Sequence, residues 1–266
     1  MQMKIGFIGC GNMARAIIWG IRKQNLVPAG QIMASARTEA TRKKIREEIG
    51  ILAAENNSEA AAFADVLILA VKPVYMEEVI QEITEAVKPE TMVVTLAPGK
   101  TLQWLDSTFG KPTKLVRTMP NTPALVGEGM TALCPNSFVT GAELETVEKI
   151  FQSFGKTEVV PEPLIDVVVG ASGSSPAYVF LFIEALADAA VADGMPRAQA
   201  YEFAAQSVLG SAKMVLETGK HPGELKDMVC SPGGTTMEAV RVLEEKGFRS
   251  AVMEASKACV RKAREL

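Results

Sequence analysis

The sequence has one histidine, His221, and only four cysteines in 266 residues. A single histidine excludes a multi-histidine metal site and leaves at most one residue for a histidine-dependent triad. The cysteines lie far apart and form no Cys-x-x-Cys pair, which argues against a zinc site and against a disulfide framework. We therefore predict no metal site, reduced cysteines, and a structural role for His221 in a turn between two helices.

The sequence also lacks an excess of one charge and a long uncharged apolar run. The formal net charge is −3, from 28 basic and 31 acidic residues with no dense basic block, so we expect no nucleic-acid partner. Glycines and a charge break the N-terminal apolar stretch, unlike a signal peptide, and no other uncharged run spans a bilayer without glycine or proline. We expect a folded cytoplasmic protein with no membrane partner.

Short apolar runs alternate with helical patterns in the first half of the chain. The helical patterns cover residues 12–24 and 39–50. The apolar runs predict strands at residues 4–9, 31–37, 65–73, 91–99 and 113–123. Because continuous apolar strands separated by helices are typical of a parallel sheet covered on both faces, we predict an α/β fold with an N-terminal, Rossmann-type, doubly wound and mostly parallel sheet.

Helical patterns follow the proline pair Pro161 and Pro163. They cover residues 176–193, 197–219, 236–246 and 252–263. The first is almost entirely apolar, interrupted only by Glu184 and Asp188, so it must be buried in its own core or against another subunit. We predict a dinucleotide-binding domain over residues 1–161, an all-α domain over residues 162–266, and a homodimer formed through the C-terminal helices.

The first predicted strand is followed directly by the pattern G-x-G-x-x-A, formed by Gly9, Gly11 and Ala14. In such a turn the first glycine allows the chain to turn tightly, and the second lets a pyrophosphate approach the backbone. The small third residue lets helix and strand pack closely, and the helix N-terminus offers free N–H groups to phosphates. The stretch therefore predicts a dinucleotide cofactor.

No acidic residue stands between Ala14 and Thr38, where NAD-preferring sites carry an Asp or Glu for the ribose 2′-hydroxyl. The second strand ends instead with Ser35 and Arg37, a hydroxyl donor and a cation that suit a 2′-phosphate. We predict NADPH as the preferred cofactor. Glu39 lies close enough to leave NADH open as a less preferred one.

The ends of the later strands and one stretch of the second domain carry the other candidate site residues. Lys72, Asn121 and Thr122 follow strands, and ligands of open α/β sheets bind beyond these carboxyl ends. In "VCSPGGTTMEAV" two glycines precede a helix and Thr235 has capping-box spacing to Glu238, so we predict that Thr235 caps this helix. Thr236 would then be the first helical residue, with a hydroxyl free for a ligand, in a cradle suited to a carboxylate.

These motifs resemble the Δ1-pyrroline-5-carboxylate reductase family over essentially the whole chain. The resemblance rests on "FIGCGNMARAI", "LAVKP", "VRTMPNTPALVGEGMTAL", "GSSPAYVFLFIEALADAAV" and "LKDMVCSPGGTTMEAVRVLE". It implies NAD(P)H-dependent reduction of the cyclic imine 1-pyrroline-5-carboxylate to L-proline. It also implies a Rossmann domain, a helical dimerisation domain, and an assembly that in this family often extends beyond the dimer.

The resemblance also implies roles for individual residues. Cofactor contacts are implied for Gly9, Cys10, Gly11, Asn12, Met13, Ser35, Arg37, Asn57, Ala70, Val71, Lys72, Pro73, Ala97 and Asn121. The implied substrate-binding residues are Ser231, Gly233, Gly234, Thr235 and Thr236. Among these, Thr236 is the candidate catalytic residue, because its hydroxyl would bond the ring nitrogen.

Three other functions are alternatives to this reductase. β-Hydroxyacid dehydrogenases share the N-terminal pattern but use a lysine on the interdomain helix, and no lysine occurs between Lys156 and Lys213. Reductases of other cyclic imines stay open, because an anion cradle does not define ring size. A non-catalytic NADPH sensor would have no need for "SPGGTT".

Overall fold

The computed structural model describes residues 3–265, which form two compact units. The first contains residues 3–174 together with 259–265, and the second contains residues 175–258. The first unit includes the predicted dinucleotide-binding region, and the second is entirely helical apart from its turns. The domain boundary after residue 161 stays a prediction.

An eight-stranded sheet forms the centre of the first unit. Its strands are β1 (Ile5–Ile8), β2 (Ile32–Ser35), β3 (Leu52–Ala53), β4 (Val66–Leu69), β5 (Met92–Thr95), β6 (Lys114–Met119), β7 (Gly129–Pro135) and β8 (Gly155–Val159). They lie in the order β3-β2-β1-β4-β5-β6-β7-β8. All neighbours are parallel except β6 and β7. This confirms the predicted mostly parallel sheet of Rossmann type.

Seven α-helices accompany the sheet in the part of the first unit that runs from residue 3 to residue 174. They are α1 (Asn12–Lys23), α2 (Glu39–Lys44), α3 (Asn57–Phe63), α4 (Met76–Ile83), α5 (Leu102–Phe109), α6 (Gly141–Gln152) and α7 (Ile165–Val168). The residues of the central strands β1, β2, β4 and β5 are buried, because helices cover both faces of a doubly wound sheet. The carboxyl ends of these strands are thereby fixed side by side.

The second unit consists of helices. They are α8 (Ser175–Ala192), α9 (Arg197–Thr218), α10 (Pro222–Val229), α11 (Thr235–Glu245) and α12 (Phe248–Arg264), the last of which runs on into the first unit. The chain thus forms α10 where the sequence suggested only a turn. His221 precedes this helix as its N-cap, and its Nδ1 accepts a hydrogen bond of 3.0 Å from the Gly223 N–H. This agrees with the structural role predicted for His221.

The apolar helix α8 is not buried within its own unit. Only Pro176 and Ala187 are buried along it, while Phe180 and Leu181 are 63% and 68% exposed. On α9, Phe203 is also 68% exposed. Of the two settings predicted for α8, a core or a second subunit, the first is excluded. By length and composition alone the helical stretch Glu162–Ala192 could cross a bilayer, a criterion that the core helices of soluble proteins also meet.

Candidate active site

The turn after β1 has the geometry of a phosphate-binding turn. Gly9 has a φ of +91°, and a Cβ there would lie 3.0 Å from the Ala70 carbonyl oxygen, so only glycine fits. Gly11 is the N-cap of α1, with nothing within 4 Å of where its Cβ would stand. No side chain caps α1 and its first turn holds no acidic residue. The N–H groups around Asn12 and Met13 are therefore available to an anion.

Cys10 lies inside this turn as a buried thiol. Burial raises its pKa, against the lowering effect of the neighbouring Arg15. The Arg15 Nε donates a 3.3 Å hydrogen bond to the Cys10 carbonyl oxygen, which steadies the turn. Because a neutral buried thiol is a poor nucleophile, Cys10 contributes to packing and backbone shape.

A cavity of about 440 Å³ opens beyond β1, β2 and β4. Six residues predicted to contact the cofactor line it, namely Gly9, Ser35, Arg37, Asn57, Val71 and Lys72. The Arg37 guanidinium lies 4.8 Å from the centroid of the Tyr75 ring, and no carboxylate among the described residues forms an ion pair with it. Arg37 therefore offers an unpaired cation to an anionic group in this cavity.

Glu39 is the residue that left NADH open as a less preferred cofactor. Its carboxylate is engaged in ion pairs with nearby arginines. Its carboxylate pairs with Arg42 at 2.7 Å and with Arg46. These two hydrogen bonds, first that from Arg42, lower the pKa of Glu39. It does not line the cavity at the end of β2. The Glu39 carboxylate thus stabilises α2 and the segment directly after it.

The cavity also contains residues that the sequence did not point to. They are Ala36, Arg42, Glu55, Asn56, Tyr75, Glu78, Val79 and Glu82. Several come from α4 and the turn before it, which have no phosphate-binding motif. Only the position of Tyr75, two residues after Pro73 at a predicted strand end, offered a signal.

Ala97 and Asn121 lie beyond β5 and β6 and do not line this cavity. The Ala97 N–H donates to the Thr95 Oγ1 at 3.2 Å. The Asn121 amide is fully engaged, because its Nδ2 donates to Ser172 Oγ at 3.1 Å and its Oδ1 accepts from the Met130 N–H at 2.9 Å. A cofactor contact from Asn121 would therefore use its backbone, while its side chain holds neighbouring segments together.

The second unit contains the predicted anion cradle at the start of α11. Gly233 has a φ of +68°, and the Gly234 N–H donates to the Ser231 carbonyl oxygen at 3.0 Å. A Cβ at Gly234 would lie 2.4 Å from Ser231 Oγ, so the Ser231 hydroxyl is folded over this glycine. The tight turn brings the serine hydroxyl and the first N–H groups of α11 together.

The predicted capping role of Thr235 is wrong. Gly234 is the N-cap, no side chain caps the helix, and Thr235 and Thr236 are the first and second helical residues. The left-handed turn at Gly233 lets the helix start one residue earlier than the spacing suggested. The Glu238 carboxylate, expected to complete a capping box, pairs with Arg241 at 2.6 Å. The uncapped helix start carries two threonine hydroxyls, which strengthens its fit to an anion.

Two family models match the chain. The family described as "Pyrroline-5-carboxylate reductase dimerisation" matches residues 162–266. The family described as "NADP oxidoreductase coenzyme F420-dependent" matches residues 4–99. Together the two matches fall on both units of the structure.

Known proteins resemble the chain over its full length. It is 56% identical over 266 residues to a pyrroline-5-carboxylate reductase of Escherichia coli (strain K12), covering 100% of this chain and 99% of that protein. A solved structure of a pyrroline-5-carboxylate reductase from Coxiella burnetii has a TM-score of 0.93 and 36% identity, with 100% and 98% covered. The Plasmodium falciparum pyrroline carboxylate reductase, solved with NADP bound, has a TM-score of 0.90 and 31% identity, with 99% and 98% covered.

Proposed function

The chain belongs to the pyrroline-5-carboxylate reductase family, and on this premise we propose which residues perform the reaction. It is an NADP-linked oxidoreductase that reduces 1-pyrroline-5-carboxylate to L-proline, in proline biosynthesis. The observation that carries the site proposal is the uncapped start of α11, which begins with Thr235 and Thr236 directly after the turn in which Ser231 folds over Gly234.

NADPH is held by the first unit. The turn from Gly9 to Met13 binds the pyrophosphate through backbone N–H groups, as the uncapped start of α1 supports. Ser35, Arg37 and Asn57 bind the adenosine end, where Arg37 provides an unpaired cation. The remaining cofactor contacts follow strand ends, at Ala70, Val71, Lys72, Pro73, Ala97 and Asn121. NADH, which lacks the 2′-phosphate, is the less preferred reductant.

The substrate carboxylate binds at the start of α11. Ser231 and Thr235 donate their hydroxyl hydrogens, and Gly233 and Gly234 leave the backbone N–H groups accessible. The Thr236 hydroxyl accepts a hydrogen bond from the protonated ring nitrogen and thereby orients the imine. These contacts fix both the charged group and the plane of the ring.

When bound, the nicotinamide supplies a hydride to the imine carbon. The imine nitrogen is basic enough to arrive protonated, so the substrate is an iminium ion whose positive charge the reduction removes. A strong general acid is therefore not needed, consistent with a chain whose single histidine caps α10. What the protein contributes is placement, worth several orders of magnitude in rate when reacting groups are well oriented.

The assembly is a homodimer formed through the helices of residues 162–266, with residues 1–161 as the dinucleotide-binding domain. The exposed apolar side chains of α8 and α9 support this, because a second subunit would bury them. Assembly of dimers into a larger oligomer is compatible with the same surface. The cytoplasm is the expected compartment, since it keeps thiols such as the four free cysteines reduced.

Comparison of two ligands tests the carboxylate cradle. L-Proline and pyrrolidine share the ring, but only L-proline carries the carboxylate. We expect L-proline to inhibit the reductase competitively with the imine, and pyrrolidine to inhibit at least about a hundredfold more weakly, since it lacks several charge-assisted hydrogen bonds. Equal inhibition by both would contradict the cradle.

A further inference from the structure

A chain of hydrogen bonds links the end of β2 to helix α4 at the adenosine end of the proposed cofactor site. Ser35, 1% exposed, lies 2.6 Å from Asn57, its Oγ facing the amide Oδ1. The Asn57 Nδ2 in turn donates to the Glu82 Oε2 at 2.6 Å. Both Ser35 and Glu82 line the same cavity as Arg37.

The carboxylate at the end of this chain fixes the direction of every hydrogen bond in it. An ionised carboxylate only accepts, so the Asn57 nitrogen must face Glu82 and its oxygen must face Ser35. The Ser35 hydroxyl has one hydrogen, and two acceptors lie near it. The Asn57 Oδ1 at 2.6 Å is much closer than the Phe7 carbonyl oxygen at 3.4 Å, so the hydrogen is committed to Asn57. Towards a ligand, Ser35 offers only oxygen lone pairs.

Glu82 occupies a position that helix electrostatics disfavours. It lies in the last turn of α4, where the helix dipole repels a carboxylate. Its contacts lie on α3: besides the bond from Asn57 to its side chain, its carbonyl oxygen accepts from the Ser58 Oγ at 3.1 Å. The carboxylate is thus held against the start of α3 and beside the cavity.

The direction of these hydrogen bonds affects which group binds well at the 2′-position of the adenosine ribose. A 2′-phosphate only accepts hydrogen bonds, whereas a 2′-hydroxyl can donate to an acceptor such as Ser35 Oγ. Glu55, Glu78 and Glu82 also line the cavity, and their carboxylates offset cations that line it with them, such as Arg37 and Lys72. The acceptor character of Ser35 and the nearby carboxylates both weaken binding of the NADPH 2′-phosphate and favour the 2′-hydroxyl of NADH.

We propose that Glu82 is a positioning residue that sets cofactor selectivity: by orienting Asn57 it turns Ser35 into an acceptor and limits the preference for NADPH over NADH. This inference rests on the proposed cofactor site. In Glu82→Gln the neutral amide can donate as well as accept, so Asn57 can turn over and donate to Ser35. The Ser35 hydrogen is then released from Asn57, and a phosphate competes for it only with the Phe7 carbonyl oxygen at 3.4 Å.

Glu78→Gln is the matched control. Glu78 lies on the same helix, lines the same cavity and is exposed, but it has no hydrogen bond to Asn57. Its substitution removes the same charge without changing the direction of the hydrogen bonds. The two variants therefore separate the effect of orientation from that of charge.

Calorimetric titration of the full-length wild type and both variants tests the proposal, with adenosine 2′,5′-bisphosphate and adenosine 5′-monophosphate as probes. Glu82→Gln should increase the affinity ratio of bisphosphate over monophosphate about tenfold, the effect of one hydrogen bond to a charged group. Glu78→Gln should change it less than about threefold, because exposed charges are screened. In the double variant Ser35→Ala/Glu82→Gln, only the effect of the lost charge remains, so the ratio should lie within about threefold of that of Ser35→Ala alone.

An unchanged ratio in Glu82→Gln, or equal increases in both single variants, would overturn the role of Glu82 while leaving the cofactor site in place. A wild type that binds neither nucleotide would overturn the cofactor site and this inference with it. Thermal unfolding of each variant shows whether it is folded, and the ratio cancels any loss of active protein.

Discussion

At the scale of single residues, Thr236 carries the proposed orientation of the imine. Substitution by alanine removes one hydrogen bond to a charged ring nitrogen and should lower kcat/KM about tenfold to hundredfold. The fold should persist, because Thr236 is only half-buried and caps no helix. Steady-state kinetics with the cyclic imine, alongside thermal unfolding, measure both effects.

The control for this prediction is Thr236→Ser, which keeps a hydroxyl and should retain most of the activity. Wild-type kcat/KM in Thr236→Ala would remove Thr236 from the reaction. Equal losses in the alanine and serine variants would point to packing of the threonine methyl group instead.

Two glycines of the first turn should respond differently to the same substitution. Gly9→Ala forces a left-handed φ and a contact with Ala70, so we expect a loss of at least about 1 kcal/mol in the free energy of unfolding. Gly11→Ala has space and an ordinary φ, so its stability should stay within about 0.5 kcal/mol of wild type. Because the new methyl group would occupy space where we propose that the pyrophosphate approaches the backbone, the NADPH affinity of Gly11→Ala should fall.

Urea unfolding and cofactor titration of both variants check this contrast. A Gly11→Ala variant with wild-type NADPH affinity would show that the pyrophosphate does not approach this backbone. A Gly9→Ala variant as stable as wild type would contradict the strain assigned to the turn.

The residues of the site were predictable to the extent that local motifs specify them. Gly9, Ser35 and Arg37 follow from the glycine pattern and from the residues that end the second strand. Glu82 does not, because only the packing of α4 brings it to the cavity, and Tyr75 is indicated only by its position just after the strand-end residue Pro73. The capping prediction for Thr235 failed because capping-box spacing does not reveal that a left-handed glycine lets the helix start earlier.

At the scale of elements, the apolar strands that alternate with helices were predictable, whereas β3 and β7 were not. β3 has two residues, too few to show any periodicity. β7 was missed because it follows β6 through the single turn Thr122–Val126, outside the alternation of strands and helices. Such a short connection cannot make a parallel crossover, which is why β6 and β7 pair antiparallel.

Arg117 joins β6 to the segment that follows β8. Its buried guanidinium donates to Glu162 at 3.1 Å and to Asp166 at 3.0 Å, and Glu162 also accepts from the Leu102 N–H. Arg117→Ala leaves two carboxylates without their cation and should lower the free energy of unfolding by roughly 3–5 kcal/mol. Arg117→Lys should recover only part, since one ammonium group does not reproduce the two-sided fork.

Urea denaturation measures these changes. As a control, Arg241→Ala removes an exposed guanidinium that also pairs with two carboxylates, and it should cost less than about 1 kcal/mol. Similar losses in Arg117→Ala and Arg241→Ala would contradict the importance of burial.

At the scale of the whole molecule, the apolar faces of α8 and α9 predict self-association. Leu181→Glu places a charge in the proposed interface, where burying it without a partner is unfavourable. The wild type should show at least twice the chain mass of 28.5 kDa by light scattering, and Leu181→Glu should shift towards the single-chain mass. Val74→Glu, at a 78% exposed residue of the first unit, should leave the mass unchanged.

A wild type that elutes at the single-chain mass would contradict the homodimer. So would a Leu181→Glu variant with the wild-type mass. From the sequence, the nearly apolar α8 had to be buried in its own core or against another subunit, and only its exposure in the folded chain excluded its own core.

The most direct test of the central claim is turnover by the purified protein with 1-pyrroline-5-carboxylate and NADPH. Loss of NADPH absorbance is followed while proline is quantified by chromatography. We predict rapid NADPH oxidation, one proline formed per NADPH consumed, and slower turnover with NADH. NADPH binding without oxidation, or oxidation without proline, would contradict the assignment of the cradle at the start of α11 to this substrate.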